Sequence, residues 1–212
     1  MPLVGISVVT TCYNECDNVQ PLIHAIRAAL RGVPHEVIIV DDSSTDGTYR
    51  VASLLADVAV SKRREGQTKG LIAGIKLAKF DRIITIDADL ENDPKWIRQL
   101  SDKLRDFDIV VASRPHLPRI SEKIFSRVYR KRLHVSDILS NYRAYRRSIV
   151  PVLAPKGGET FGAEFLIRAH RNGCRIAEIT VDALPRRAHA RIGNAITANL
   201  RILIALLRTI RM

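Results

Sequence analysis

Ile83-Ile84-Thr85-Ile86-Asp87-Ala88-Asp89-Leu90-Glu91-Asn92-Asp93-Pro94 is the stretch whose reading decides how this chain folds. Its four β-branched residues predict a buried strand, and the abrupt acidic turn marks where that strand gives out. In an extended segment, residues two apart share a face. Asp87, Asp89 and Glu91 would then point the same way and offer hard oxygen ligands to one divalent ion. Pro94 suits the first turn of a helix, with Asp93 or Asn92 as its cap, so the acidic group lies between a strand's carboxyl end and a helix start. In isolation such a turn would be a solvated feature of the surface. Its surroundings make it a candidate site.

Upstream, residues 4–10 predict a first buried strand, followed by the polar break Thr11-Cys12-Tyr13-Asn14-Glu15. Val19, Leu22, Ile23, Ile26 and Leu30 recur on one helix face, and Gly32 and Pro34 end that helix. Residues 36–40 predict a second strand running into Asp41-Asp42-Ser43-Ser44-Thr45-Asp46-Gly47-Thr48, then a helix carrying Val51, Leu54 and Leu55. A short strand at 57–60, a basic glycine-containing turn at 61–70 and a helix at 71–79 lead to the acidic strand. Downstream, Trp96, Ile97, Leu100 and Leu104 mark a helix, and residues 108–114 predict a fifth strand ending on Arg114.

Strands alternating with crossover helices imply an α/β fold. Its sheet should be mostly parallel, covered by helices on both faces, with ligands at the strands' carboxyl ends. Every polar cluster named so far falls at such an end, so they should converge on one rim. No G-x-G-x-x-G follows the first strand and no G-x-x-x-x-G-K-[ST] occurs. These omissions argue against a dinucleotide oxidoreductase and a P-loop NTPase, leaving a nucleotide held by acidic side chains and a metal.

Beyond Arg114 the rhythm changes. Residues 122–133 predict a helix studded with Lys123, Arg127, Arg130, Lys131 and Arg132; residues 160–171 predict another, closed by Asn172-Gly173; residues 175–183 alternate like a strand. Residues 194–212 predict a basic amphipathic helix with Asn194, Thr197, Arg201 and Arg208 on one stripe. It would either lie at a membrane interface or dock on the domain's own core. The expected organisation is a catalytic domain at 1–192 and this helix at 193–212.

A chain of 212 residues with 46% hydrophobic content supports one globular core. Charge is divided unevenly: residues 1–106 carry 14 Lys and Arg against 15 Asp and Glu, whereas residues 107–212 carry 20 against 7. The second half should face something anionic, whether nucleic acid, a phosphorylated substrate or an acidic membrane. Acidic residues on the rim and the 5% aromatic content argue against nucleic acid, since phosphates would be repelled and bases would find few stacking platforms. Cys12, Cys16 and Cys174 suit a reducing compartment and no zinc site. No uncharged apolar run approaches the roughly 20 residues of a membrane span, and the expectation is a first strand without a signal peptide before it.

At this point the motifs resemble the inverting GT-A glycosyltransferases of family 2, in the dolichyl-phosphate mannose synthase-like branch that glycosylates polyprenyl phosphates. Val8-Val9-Thr10-Thr11-Cys12-Tyr13-Asn14-Glu15 is similar to the family's V-V-I-P-T-Y-N-E, with Thr11 where proline is usual. Residues 38–48 resemble V-V-D-D-x-S-x-D-G-T. Asp87-Ala88-Asp89 resembles the metal-binding D-x-D, with Glu91 where glutamine is frequent. Ala112-Ser113-Arg114 resembles G-S-R, residues 137–143 resemble D-x-x-S-G-F-R with Asn141 replacing glycine, and residues 185–191 resemble a degraded P-R-x-x-G-x-S-K.

The resemblance implies that Thr11, Tyr13, Glu15, Asp41 and Asp42 hold the base and ribose of a nucleotide-sugar, with GDP-mannose favoured. Asp87 would touch ribose or metal, and Asp89 with Glu91 would hold Mg²⁺ or Mn²⁺ against the diphosphate. Asp89, Asp137, Arg114 and Arg127 are the expected catalytic residues; Arg114, Arg127, Arg186 and Arg187 are expected to receive an acceptor phosphate. Members that act on hydroxyls commonly carry a Glu-Asp pair before a helix like this one, and Gly162 stands in the aspartate's place. That favours a polyprenyl or dolichyl phosphate acceptor, which is already ionised and needs no base. With a lipid-linked saccharide hydroxyl as acceptor, Glu164 or Asp137 would have to serve as base. A nucleotidyltransferase would also use paired acids and metal but would release pyrophosphate rather than nucleoside diphosphate. The expected location is the cytoplasmic side of an anionic membrane, held peripherally, with no nucleic-acid partner.

Overall fold

The computed structural model describes residues 3–117, 119–150 and 161–182, together with Leu184 and Ile204. Arg186, Arg187 and the helix expected at 193–212, apart from Ile204, lie outside the described residues. The elements run β1 (Leu3–Cys12), α1 (Cys16–Ala29), β2 (His35–Asp41), α2 (Thr48–Leu55), β3 (Val58–Ser61), α3 (Gln67–Leu77) and β4 (Phe80–Thr85). A 3₁₀ turn (Pro94–Trp96) then opens α4 (Ile97–Lys103), followed by β5 (Ile109–Ser113), α5 (Ile120–Leu133), β6 (Arg143–Arg146), α6 (Phe161–Arg171) and β7 (Ile176–Thr180).

The seven strands form one sheet in the order β3-β2-β1-β4-β6-β5-β7. All neighbours pair in parallel except β6, which lies antiparallel between β4 and β5. Alternate residues of each central strand enter two cores on opposite faces. Val8, Ile39, Ile84 and Val110 pack with α1 and α4, whereas Val9, Ile38, Ile83 and Val111 pack with α3, α5 and α6. Burial on both faces is why these strands read as unbroken apolar runs.

Helix α1 buries Val19, Leu22, Ile23 and Ile26, as their spacing predicts. Of the apolar residues expected on helix α2, Val51 and Leu55 pack against the core beside buried Ala52 and Thr48, whereas Leu54 is 76% exposed. In an eight-residue helix, 3.6-residue periodicity leaves the buried stripe too short to identify from its largest apolar residues. Helix α3 begins at Gln67, four residues before its expected start, because its Gly70 and Gly74 lie where α3 meets the sheet. A Cβ at either would fall inside contact distance of Thr11 or Val9, so the glycines permit a close approach that apolar periodicity does not signal.

Strand β6 was not expected from alternation. Its first residue, Arg143, is fully buried and gives the segment a polar reading. Strand β4 ends at Thr85, so Asp87–Glu91 is a turn with Leu90 at φ 62°. The extended geometry that would align Asp87, Asp89 and Glu91 on one face is therefore absent. Asp93 caps the 3₁₀ turn through the Lys95 amide, 3.0 Å, with Pro94 in its first position, as the local signals predict.

Candidate active site at the carboxyl ends of the strands

The loops after β1 and β2 interlock. The Asn14 amide donates to Ser44 Oγ at 2.8 Å and the Thr45 amide to Asn14 Oδ1 at 2.9 Å. The Glu15 amide donates to Thr48 Oγ1 at 2.8 Å. Asp46 accepts from Thr48 and from the Cys16 amide, and the Glu15 carboxylate accepts from Asn18 at 2.6 Å. The D-D-x-S-x-D-G-T run is thus largely a device for joining two loops. These bonds hold Tyr13, Glu15 and the aspartate pair along one edge.

Asp41 and Asp42 have different surroundings. Asp42 is buried and accepts from Lys62 Nζ at 2.5 Å and from the amides of Glu65 and Gly66 at 3.0 and 2.9 Å. Burial works against its charge, but these donors outweigh burial and hold its carboxyl below the usual range. Asp42 therefore organises the 61–66 loop. Asp41 Oδ2 accepts from the Ser44 amide and from Ser61 Oγ, both at 3.1 Å, while its buried Oδ1 has no hydrogen-bond partner among the described residues. Thr11 Oγ1 is orphaned in the same way. Unsatisfied buried polar atoms are uncommon and costly, and these two lie at the ends of adjacent strands. Arg64, from the organised loop, lies 3.8 Å from the Tyr13 ring centroid and donates to its hydroxyl at 2.8 Å.

At the end of β4, Asp87 accepts from Gln67 Nε2 at 2.6 Å and Asn92 Nδ2 at 3.4 Å. Asn141 in turn donates to Gln67 Oε1 at 3.1 Å, joining the acidic turn to the segment before β6. The Glu91 amide donates to Asp89 Oδ1 at 3.1 Å. Burial, then the Asp89 charge, push the Asp87 carboxyl up to about 7 despite the Gln67 bond. A cation would favour the ionised pair, and the donor set is all oxygen, which suits Mg²⁺ or Mn²⁺. Among the described residues, however, no three His, Cys, Asp or Glu side chains are grouped to hold a metal. The expected three-carboxylate set is not assembled, because the turn replaces the extended strand. Magnesium commonly uses one or two carboxylates plus substrate phosphates, so Asp87 and Asp89 remain a sufficient protein contribution.

Arg114, following β5, donates from Nε to Asp137 Oδ2 at 2.6 Å and from its second nitrogen to Oδ1 at 3.3 Å, and lies 3.6 Å from Glu122. Glu122 also pairs with Arg119 at 2.8 Å. Asp137 and Glu122 are buried, so they lock Arg114 in place. Glu164 is paired with Arg168 at 2.9 Å. Beside Arg114 opens a cavity of about 500 Å³ whose lining includes Lys123, Arg127, Arg130 and Lys131. Arg114 and Arg127 both line it.

Lys123, Arg130 and Lys131 were not singled out for the site. Their spacing with Arg127, at i, i+4, i+7 and i+8 counted from Lys123, was the available signal. Arg143 was also missed. Fully buried, with burial lowering its pKa to about 10, it donates to the carbonyls of Ile138 and Gly162. It thereby ties the segment carrying Asp137 to the start of α6.

Residues 7–166 match the family model described as Glycosyl transferase family 2. The chain is 32% identical over 178 residues to an undecaprenyl-phosphate 4-deoxy-4-formamido-L-arabinose transferase of Pseudomonas fluorescens, covering 76% of this chain and 52% of that protein. It is 33% identical over 166 residues to a dodecaprenyl-phosphate galacturonate synthase of Rhizobium johnstonii, covering 68% and 48%. A dolichol-phosphate mannosyltransferase of Pyrococcus furiosus is 35% identical over 115 residues, covering 51% and 33%. The chain thus spans about half the length or less of these curated relatives.

The fold is similar to that of glucosyl-3-phosphoglycerate synthase from Mycobacterium tuberculosis solved with phosphoglyceric acid. The TM-score is 0.81 at 22% identity, over 97% of this chain and 80% of that one. The same enzyme with Mn²⁺, UDP and glucosyl-3-phosphoglycerate gives 0.77 at 21%, over 96% and 80%. These neighbours identify the mostly parallel sheet and its helices as a GT-A fold. With the family model spanning most of the sheet and the whole acidic rim, the chain belongs to glycosyl transferase family 2.

Proposed function

We propose that this chain transfers a hexosyl group, with inversion, from a nucleoside-diphosphate sugar to a polyprenyl phosphate at a membrane surface. The cavity beside Arg114 carries this reading: five cations line it, and the carboxylates next to Arg114, Asp137 and Glu122, are each engaged by an arginine. That chemistry suits an acceptor that arrives ionised. A sugar hydroxyl would need a carboxylate base, and Asp137 is committed to Arg114.

Thr11, Tyr13, Glu15 and Asp41, gathered at the ends of β1 and β2, hold the base and ribose in this reading. Asp42 acts through the loop it organises. Asp87 and Asp89 hold Mg²⁺ or Mn²⁺, whose chemistry when bound is to neutralise charge on the departing diphosphate. Glu91 assists through its amide. Arg114 and Arg127 orient the acceptor phosphate so that one oxygen attacks C1 of the hexose. A C1–O bond forms to the acceptor as the C1–O bond to the diphosphate breaks, and the electron pair leaves with the nucleoside diphosphate. No proton has to be removed from the acceptor.

The names of the relatives share a polyprenyl phosphate and differ in the sugar. For the donor we retain GDP-mannose, on the motif resemblance, and the cytoplasmic leaflet as the site of action, on the basic second half. The test is transfer from radiolabelled GDP-mannose, UDP-glucose and UDP-galacturonate to a short polyprenyl phosphate with Mn²⁺. Transfer from one donor, loss in excess EDTA and a drop of roughly 10²-fold or more for Asp89→Ala are expected. Pyrophosphate release, or full activity of Asp89→Ala, would overturn the reading.

A further inference from the structure

Helix α5 leaves an apolar stripe uncovered. Ile120 is 73% exposed, Ile124 42% and Val128 44%, at i, i+4 and i+8, spanning about 12 Å along the axis. The opposite face buries Phe125, Tyr129 and Leu133, so the stripe is not the packing face of the helix. Lys123, Arg127, Arg130, Lys131 and Arg132 are all exposed around it. The one acid of α5, Glu122, is buried and paired with Arg114 and Arg119. The stripe continues at Val128 into a groove of about 290 Å³ between α5 and α6. Its floor includes Leu133 and Ile167, and its rim carries Arg132, His170 and Arg171. Glu164, the one acid of α6, is buried and paired with Arg168. The described exposed surface of these two helices is thus cationic and aliphatic, with no exposed acid.

We propose that the outer face of α5, with the α5–α6 groove, is the surface by which this protein docks on an anionic bilayer. Ile120, Ile124 and Val128 would enter the headgroup boundary while Arg132 and Arg171 bind lipid phosphates. The inference deepens the proposed function by supplying the membrane contact that a lipid acceptor requires. Charge complementarity and aliphatic exposure together select a bilayer: cations alone would suit a polyanion in water, but three exposed aliphatic side chains gain only by leaving water. Nucleic acid is the less apt occupant, since the stripe offers no exposed aromatic on which a base could stack. The same helix lines the proposed acceptor cavity with Lys123, Arg127, Arg130 and Lys131. A lipid phosphate would therefore reach the site beside the place where the helix meets the membrane.

The test uses the full 212-residue chain and sedimentation with vesicles of phosphatidylcholine alone or with 30% phosphatidylglycerol. Two variants avoid the cavity lining: Ile120→Ser/Ile124→Ser/Val128→Ser and Arg132→Gln/Arg171→Gln. Each should lower partitioning onto anionic vesicles about tenfold or more, with an unchanged thermal midpoint. Transfer to a short, water-soluble acceptor phosphate should be unaffected. Because Trp96 is the one native tryptophan, Trp96→Phe/Ile124→Trp adds an independent readout: its emission should shift to the blue and be quenched by brominated lipid.

Wild-type partitioning no greater onto anionic than neutral vesicles, undiminished binding by the triple variant, or no blue shift would overturn the proposal. So would tight oligonucleotide binding, lost in the arginine variant, without vesicle binding. Vesicle binding that depends on the stripe, in a protein that transfers no sugar to any polyprenyl phosphate, would support docking while refuting the proposed function.

Discussion

Asp41 and Asp42 are adjacent in the chain, yet one keeps a buried oxygen without a partner among the described residues and the other is saturated by Lys62 and two amides. Their substitution should therefore separate binding from stability. Asp41→Asn should weaken nucleotide-sugar binding about tenfold, since a hydrogen bond to a charged group contributes about 1.5–3 kcal/mol. Titration calorimetry with GDP and UDP sugars measures this, and an unchanged affinity for every nucleotide would remove Asp41 from the site.

Asp42 has a native carboxyl pKa below its unfolded value, so its contribution is present above about pH 4 and is lost as pH falls through the native value. Asp42→Asn should be less stable at pH 7 and show a shallower loss of stability below pH 4 in urea titrations. Parallel acid limbs for variant and wild type would show that the Lys62 contact contributes nothing. Motif reading identified both aspartates, but their different roles depend on a loop about 20 residues downstream.

At the scale of elements, close approach of α3 to the sheet at Gly70 and Gly74 brings Gln67 over Asp87. Gly74→Val would force its side chain into Val9 and Val40. It should destabilise by about 1–3 kcal/mol, as overpacking of a tight core does. Leu54→Lys on α2 should change stability by less than about 0.5 kcal/mol, because that side chain already faces water. Chemical denaturation of both variants checks the pair, and a large cost at Leu54 would mean that α2 packs by another face. Strand–helix alternation was legible because it is local. The exposure of Leu54 and strand β6 were not, since α2 is too short for its period to show and β6 begins with a buried arginine.

Over the whole molecule, the near-neutral first half supplies the rim proposed to bind the donor, and the basic second half lines the cavity proposed for the acceptor and the outer face of α5. Raising NaCl from 50 to 500 mM should increase KM for a short acceptor phosphate severalfold and leave KM for the sugar donor less affected. Screening shortens the reach of exposed cations, whereas in the proposed site the donor would be held largely by close polar contacts and a metal. Equal sensitivity of both KM values would argue against a division of labour between the halves.

The amino-acid sequence alone determined the alternation of strands and helices, the acidic rim at their carboxyl ends and the cationic character of α5. Each is a property of neighbours along the chain. Tertiary structure decided which charges serve as locks within the fold. Asp137 faces Arg114 across 23 residues, Gln67 reaches Asp87 across 20, and Asn141 reaches Gln67 across 74. A carboxylate's role follows from burial and from the donors that fill its oxygens, and those donors come from segments that only folding brings together.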